Sequence, residues 1–171
     1  MPPTPIPPDA LAALPARSLR GRFYRIVARH LQDRVLSIEG SERYGGRYNP
    51  KGAFGALYCG ESPTVSSAEV RKAAPGRKLG PFDLATLVVE LHRVLDLTEQ
   101  DILEQLSLRS EDLVAPDWSR TQELGRLARE AGFEALLVPS AAAPGRNLVV
   151  FLDRLDPASS VLLAAVEPAP L

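Results

Sequence analysis

The chain has 171 residues, 45% hydrophobic and 24% charged, with 20 Lys and Arg against 21 Asp and Glu for a net charge of -1. Such a length and mix predict one globular domain with a real core, while the even charge balance argues against a nucleic-acid binder, which needs surplus basic charge to neutralise phosphates. No run of about 18 apolar residues is present to cross a membrane, and the proline-broken opening lacks a secretory pattern, so a cytoplasmic protein is expected.

Residues 1–18 carry prolines at 2, 3, 5, 7, 8 and 15 and are predicted to form an extended N-terminal arm, because proline fixes φ and lacks a donor. The domain proper is placed at 19–166, with 167–171 a frayed tail. Phe23 to Ala28 reads as a first strand. The stretch from Gly40 to Gly52, punctuated by glycine and proline, reads as loop. Ala56 to Gly60 is a short strand, and Ser62 with Pro63 opens a helix reaching Ala74. Phe82 to Leu97 predicts one long or two short strands, and Thr98 to Leu106 a helix. From Ser119 to Ala131 a helix is expected, with Ser119 and Gln122 as a capping box and Leu124, Leu127, Ala128 and Ala131 on one apolar face. Gly132 closes it. Strands follow at Ala135–Pro139, Asn147–Leu152 and Val161–Val166. Without strict alternation of strands and helices, the pattern predicts an α+β domain with a mixed or antiparallel sheet and about three helices.

The single Cys59 cannot form an internal disulfide, and His30 and His92 have no cysteines at zinc-ligand spacing, so no metal site is expected. Neither a P-loop nor a dinucleotide-binding glycine fingerprint occurs, and no nucleophile elbow. What remains is a polar cluster around the glycine-rich segment. Glu69 shares a helical stripe with Val65 and Ala73, and a carboxylate on a half-buried stripe is costly to desolvate unless something requires it. The plainer reading is a surface glutamate pairing with Lys72. Arg47, beside Gly45 and Gly46, offers a fork for a phosphate or carboxylate where a backbone can approach closely; the plainer reading is a solvated loop arginine. Tyr58 on its short strand and Ser140 after Pro139 read, taken alone, as core filler and a turn hydroxyl.

The strings Gly46-Arg47-Tyr48-Asn49-Pro50-Lys51-Gly52, Ala56-Leu57-Tyr58, Glu61-Ser62-Pro63 and Ala68-Glu69-Val70, with Gly132 to Ser140 and Asn147 to Phe151 later, resemble the core of the RES domain family. The resemblance runs from about Phe23 to Phe151 in the family's motif order. The family is named for an Arg, a Glu and a Ser, and the matching positions here are Arg47, Glu69 and Ser140. Tyr48 stands where tryptophan is commoner, and the Pro-rich arm lies outside the family core.

That resemblance implies a fold of the diphtheria-toxin type of ADP-ribosyltransferase, NAD as substrate, no metal, and the role of toxin in a bacterial toxin–antitoxin pair. The implied partner is an antitoxin with a Xre-like helix-turn-helix region; a homodimer within that complex is left open. No direct nucleic-acid or membrane contact is implied. Breaking the nicotinamide ribosyl bond builds positive charge at the ribose while the pyridine leaves neutral, so the need is for a carboxylate rather than a strong acid. Glu69 takes that role and Arg47 holds the dinucleotide against it. Tyr58, Ser140, Tyr48, Asn49, Tyr24, Arg25 and Asn147 complete the expected substrate-binding set. The acceptor stays open: water or phosphate would make a NAD-degrading glycohydrolase or phosphorylase, a protein side chain an ADP-ribosyltransferase. A non-catalytic binding module is the remaining alternative.

Overall fold

The computed structural model describes residues 4–76, 80–169 and 171. Its scaffold is a six-stranded sheet whose pairings close on themselves. Strand β1 (Arg17–Ala28) runs antiparallel to β3 (Phe82–Asp96) from Arg17↔Val94 to Ala28↔Phe82. On its other edge β1 meets β2 (Leu57–Gly60) at Tyr24↔Gly60. β2 pairs with β5 (Arg146–Val150), β5 with β4 (Ala135–Pro139), and β4 returns to β3 in parallel at Val94–Asp96. The ring is thus β1–β2–β5–β4–β3. β6 (Ser160–Pro168) lengthens it by pairing with β3 from Asp83 to Glu90, on the edge β4 takes further along.

Period-2 alternation decides which side chains enter the ring. Leu57 and Cys59, Ala135 and Leu137, and Leu148 and Val150 point into one core with Phe23, Leu87 and Leu91. Their neighbours Leu136, Val138, Val149 and Phe151 point into a second core on the outer side. That core is covered by the parallel crossover between β3 and β4. It contains three helices: α4 (Gln100–Gln105), α5 (Ser110–Leu113) and α6 (Ser119–Glu130), which contribute Ile102, Leu113, Leu124 and Leu127. The expected α+β class with a mixed sheet is what is found. No helix among the described residues is long and apolar enough to cross a membrane.

Several expectations are corrected. The arm is not extended throughout: Pro8–Ala12 forms α1, with Pro8 in the first turn, where its missing N–H costs nothing. Ile6, Leu11 and Leu14 are buried in the outer core, so apolar contacts hold the proline-rich segment down. β1 begins at Arg17, six residues before Phe23. The glycine-rich segment is not all loop, because Glu39–Tyr44 forms α2 with Gly40 inside it. The Ser119–Gln122 capping box does not form. Ser119 is the first helical residue, its N–H is taken by Asp117 Oδ1 at 2.9 Å, and Gln122 instead donates to the Gly46 carbonyl at 2.9 Å. The C-terminal segment stays paired to Pro168, followed by a hydrogen bond from Ala169 N to the Phe82 carbonyl.

Helix α6 carries a glycine in its interior, normally unfavourable by about 1 kcal/mol relative to alanine. The reason is a close approach: a Cβ on Gly125 would sit 1.8 Å from the Tyr48 carbonyl oxygen. The helix therefore rests directly on the backbone next to Arg47.

Candidate functional site

Helix α3 (Pro63–Ala73) starts where the sequence predicts, with the Ser62 hydroxyl accepting from Val65 N at 3.1 Å and Pro63 in the first turn. Its first turn faces inward: Val65 and Ser66 are buried, and Ser66 Oγ donates to the Tyr24 carbonyl at 2.8 Å, pinning the helix to β1. One turn on, this places Glu69 against the ends of β4 and β5. Ser140 Oγ donates to Glu69 Oε1 at 2.6 Å, and Asn147 Nδ2 donates to the same oxygen at 2.8 Å. Lys72 does not pair with Glu69; its Nζ donates to the Ala141 carbonyl at 2.7 Å. Two residues of α3 thereby grip two consecutive residues of the β4–β5 connection. Glu61, just past β2, clamps the start of β5, accepting from Arg146 N at 2.7 Å and Arg146 Nε at 2.9 Å.

Across from α3, Arg47 emerges from the turn closed by the Gly46↔Asn49 bridge. Its Nη1 donates to the carbonyls of Ala115 at 2.5 Å and Leu113 at 3.4 Å, and its guanidinium lies 5.6 Å from the centre of the Trp118 ring. The turn rests on a buried network. Tyr58 OH accepts from Tyr48 N at 2.9 Å and donates to Asn49 Oδ1 at 2.6 Å, while Asn49 Nδ2 donates to the carbonyls of Ser41 and Phe54. Gly46 must be glycine here, since a Cβ would meet Tyr58 OH at 2.6 Å. Burial raises the Tyr58 phenol well above its ordinary value, so it keeps the proton it donates.

Glu69 and Arg47 face a cavity of about 740 Å³, within the range of small-molecule sites. Tyr24, Arg25, Tyr58 and Asn147 also line it. Arg25 donates Nη1 to the Val35 carbonyl at 2.7 Å, and burial lowers its pKa. Cys59 lies on the floor with its thiol pushed up to about 12 by burial, so it is held as the inert thiol. Among the described residues, no three His, Cys, Asp or Glu side chains gather as a metal-binding group.

Three of the expected binding residues do not reach the cavity wall. Tyr48, in the turn beside Arg47, packs into the outer core and is 2% exposed. Asn49 is fully buried and spends its amide on backbone carbonyls. Ser140 spends its hydroxyl on Glu69 and accepts from Ala142 N and Ala143 N, so it positions the carboxylate. The sequence reading overlooked Trp118, Lys72 and Ser66, which do line the cavity. A tryptophan among prolines and acidic residues at a helix start carried the one available signal for Trp118.

An arginine and a glutamate drawn from segments far apart in the chain thus border one cleft, and a serine holds the glutamate from behind. The RES domain model matches residues 22–170. The chain belongs to the RES domain family. This RES domain is 30% identical over 154 residues to the NAD(+) phosphorylase MbcT of Mycobacterium tuberculosis, covering 86% of this chain and 82% of that protein. It is 32% identical over 152 residues to the probable NAD(+) phosphorylase Rv3189 of the same organism, covering 86% and 72%. Its fold superposes on a chain in the crystal structure of the M. tuberculosis MbcT–MbcA toxin–antitoxin complex with a TM-score of 0.82 at 30% identity, covering 94% of this chain and 90% of that one.

Proposed function

We propose that this chain is a NAD-degrading toxin that breaks the nicotinamide ribosyl bond and passes the ADP-ribosyl group to inorganic phosphate. The observation carrying the reading is Glu69. Two neutral donors hold its Oε1, and no described residue donates to Oε2. Glu69 borders a cavity of about 740 Å³ that Arg47 also lines. The names of the two mycobacterial relatives support phosphate over water as acceptor.

The C1′–N bond of the nicotinamide ribose breaks and its electron pair moves to the ring nitrogen, so the positively charged pyridinium departs as neutral nicotinamide. No proton donor is required, which suits a cavity lined by no histidine among the described residues. Positive charge develops at C1′ and its ring oxygen, and the Glu69 carboxylate stabilises it while accepting a hydrogen bond from a ribose hydroxyl. An oxygen of hydrogen phosphate then bonds to C1′, giving ADP-ribose phosphate. Arg47 carries the pyrophosphate charge and fixes the ribose against Glu69. Tyr58 and Tyr24 supply flat faces for the nicotinamide.

The same reading makes the partner an antitoxin with a Xre-like helix-turn-helix region that blocks the cleft, in a cytoplasmic complex able to contain two toxin copies. The pairing of the structural relative MbcT with MbcA in a toxin–antitoxin complex supports a protein antitoxin. A mixed α+β sheet that carries a cleft beside it supports kinship with ADP-ribosyltransferases of the diphtheria-toxin type. Incubating the purified chain with NAD, with and without phosphate, and separating the products tests the reaction. Nicotinamide and ADP-ribose phosphate appearing only with phosphate is the expected result. Free ADP-ribose in both samples makes it a glycohydrolase; ADP-ribose found only on added lysate proteins makes it a transferase. An unchanged NAD pool overturns the reading.

A further inference from the structure

Trp118 is the chain's one tryptophan, and it is 42% exposed at the edge of the cavity. Val114 and Pro116 of the same α5–α6 connection line the cavity beside it, so this wall is apolar. The carbonyls of Leu113 and Ala115 in this connection hold Arg47, whose guanidinium covers one face of the indole. An indole has two faces, and its exposure leaves the other open to a flat partner.

The other cavity aromatics are committed elsewhere. Tyr24, Gly60 and Asn147 are register partners across β1, β2 and β5, so Tyr24 lies in the row whose Asn147 holds Glu69. Tyr58 sits two residues before Gly60 with its hydroxyl tied to the Arg47 turn. Both belong with the nicotinamide end. A dinucleotide has a second flat end, separated from the first by a pyrophosphate, and Arg47 is the cation that both borders the Glu69 cavity and touches Trp118.

Resting on the NAD reading above, we infer that Trp118, with Val114 and Pro116, is the platform on which the adenine of the substrate stacks. Base–aromatic stacking tolerates any purine face and is lost when the ring is removed. The site therefore reads the nucleotide as a whole and selects dinucleotides over nicotinamide mononucleotide.

Because the chain has a single tryptophan, its emission reports this residue alone. The test uses the full chain carrying Glu69→Gln, which slows turnover, titrated with ADP-ribose or nicotinamide mononucleotide. Excitation is at the red edge of the indole band, and calorimetry runs in parallel. ADP-ribose is expected to change the emission as it binds, and Trp118→Ala to weaken ADP-ribose by roughly tenfold or more. Trp118→Phe keeps most of the affinity, and nicotinamide mononucleotide binding is unchanged by either substitution. ADP-ribose binding by calorimetry with unaltered emission overturns the inference and leaves the NAD reading standing. So does equal weakening of both ligands by Trp118→Ala, which would make the indole only a support for Arg47. If neither ADP-ribose nor nicotinamide mononucleotide binds, both readings fall together.

Discussion

Two glutamates of this protein sit in hydrogen-bonded clusters, and the difference between them separates architecture from chemistry. Glu134, 1% exposed, ties the start of β4 to the end of β3 and to the loop before β6. It accepts from His92 N at 2.6 Å, Arg93 N at 2.8 Å, Asp156 N at 3.0 Å and Ser159 Oγ at 3.0 Å, so both carboxylate oxygens are in use. Glu69, which borders the cleft, accepts from two side chains, both on Oε1. A carboxylate with both oxygens engaged by the chain is a joint between strands. One that is fixed but left half unanswered is oriented for a partner from outside the chain.

The comparison breaks first at Glu134. Glu134→Ala strands several buried donors, each costing about 1–3 kcal/mol when unsatisfied, so the unfolding free energy should fall by about 3 kcal/mol or more. Denaturant titration measures it, and the turnover of the molecules that remain folded should be near normal. A variant with full stability would remove the distinction drawn here.

On the other side of the cleft, Arg47→Lys loses the planar guanidinium whose Nη1 bonds the Leu113 and Ala115 carbonyls and leaves its other donors free for substrate. Its KM for NAD should rise about tenfold, with a smaller change in kcat, as steady-state nicotinamide release would record. Ser140→Ala and Asn147→Ala sharpen the comparison, because these residues act through Glu69. Each should lower kcat by roughly tenfold and leave the KM nearly unchanged. A rise in KM alone would place them on the substrate instead.

Acid titration reports on Glu134 as well. Burial pushes the Glu134 carboxyl up, but the hydrogen bonds from Ser159, Asp156, Arg93 and His92 outweigh it, so the group sits below its ordinary 4.5. Its stabilising contribution is complete above pH 4.5 and is lost as pH falls through the depressed folded value. Thermal melts of Glu134→Gln below that pH should therefore depend less on pH than those of the parent chain. The smallest expected effect is at Cys59. With its thiol pushed up to about 12, the native protein should resist alkylation at neutral pH and react only on unfolding, as mass spectrometry would register.

How far the sequence discloses all this differs between elements. The Ser62–Pro63 cap and the stripe of Val65 and Glu69 are local signals, and α3 forms as they predict. The partners of Glu69 lie 71 and 78 residues away, and only the closure of the sheet brings them together. Motif resemblance picked out Ser140 and Asn147 as substrate contacts; the hydrogen bonds show Ser140 spent on Glu69 instead. Tyr48 and Asn49 share a turn with Arg47, yet Tyr48 is buried in the outer core and Asn49 is spent on backbone carbonyls, contacts that no local pattern announces. The arm misled because proline spacing hides Ile6, Leu11 and Leu14, whose burial depends on a core assembled from distant helices.

The most direct trial of the account is nicotinamide release from NAD by Glu69→Gln in the presence of phosphate, alongside a melt of the same sample. The amide keeps the shape and loses the charge that stabilises the cationic ribose. A fall in kcat/KM of about 10- to 150-fold with an unchanged melting temperature is expected, the range of a hydrogen bond to a charged group. A folded Glu69→Gln protein that consumes NAD as fast as the parent would contradict it.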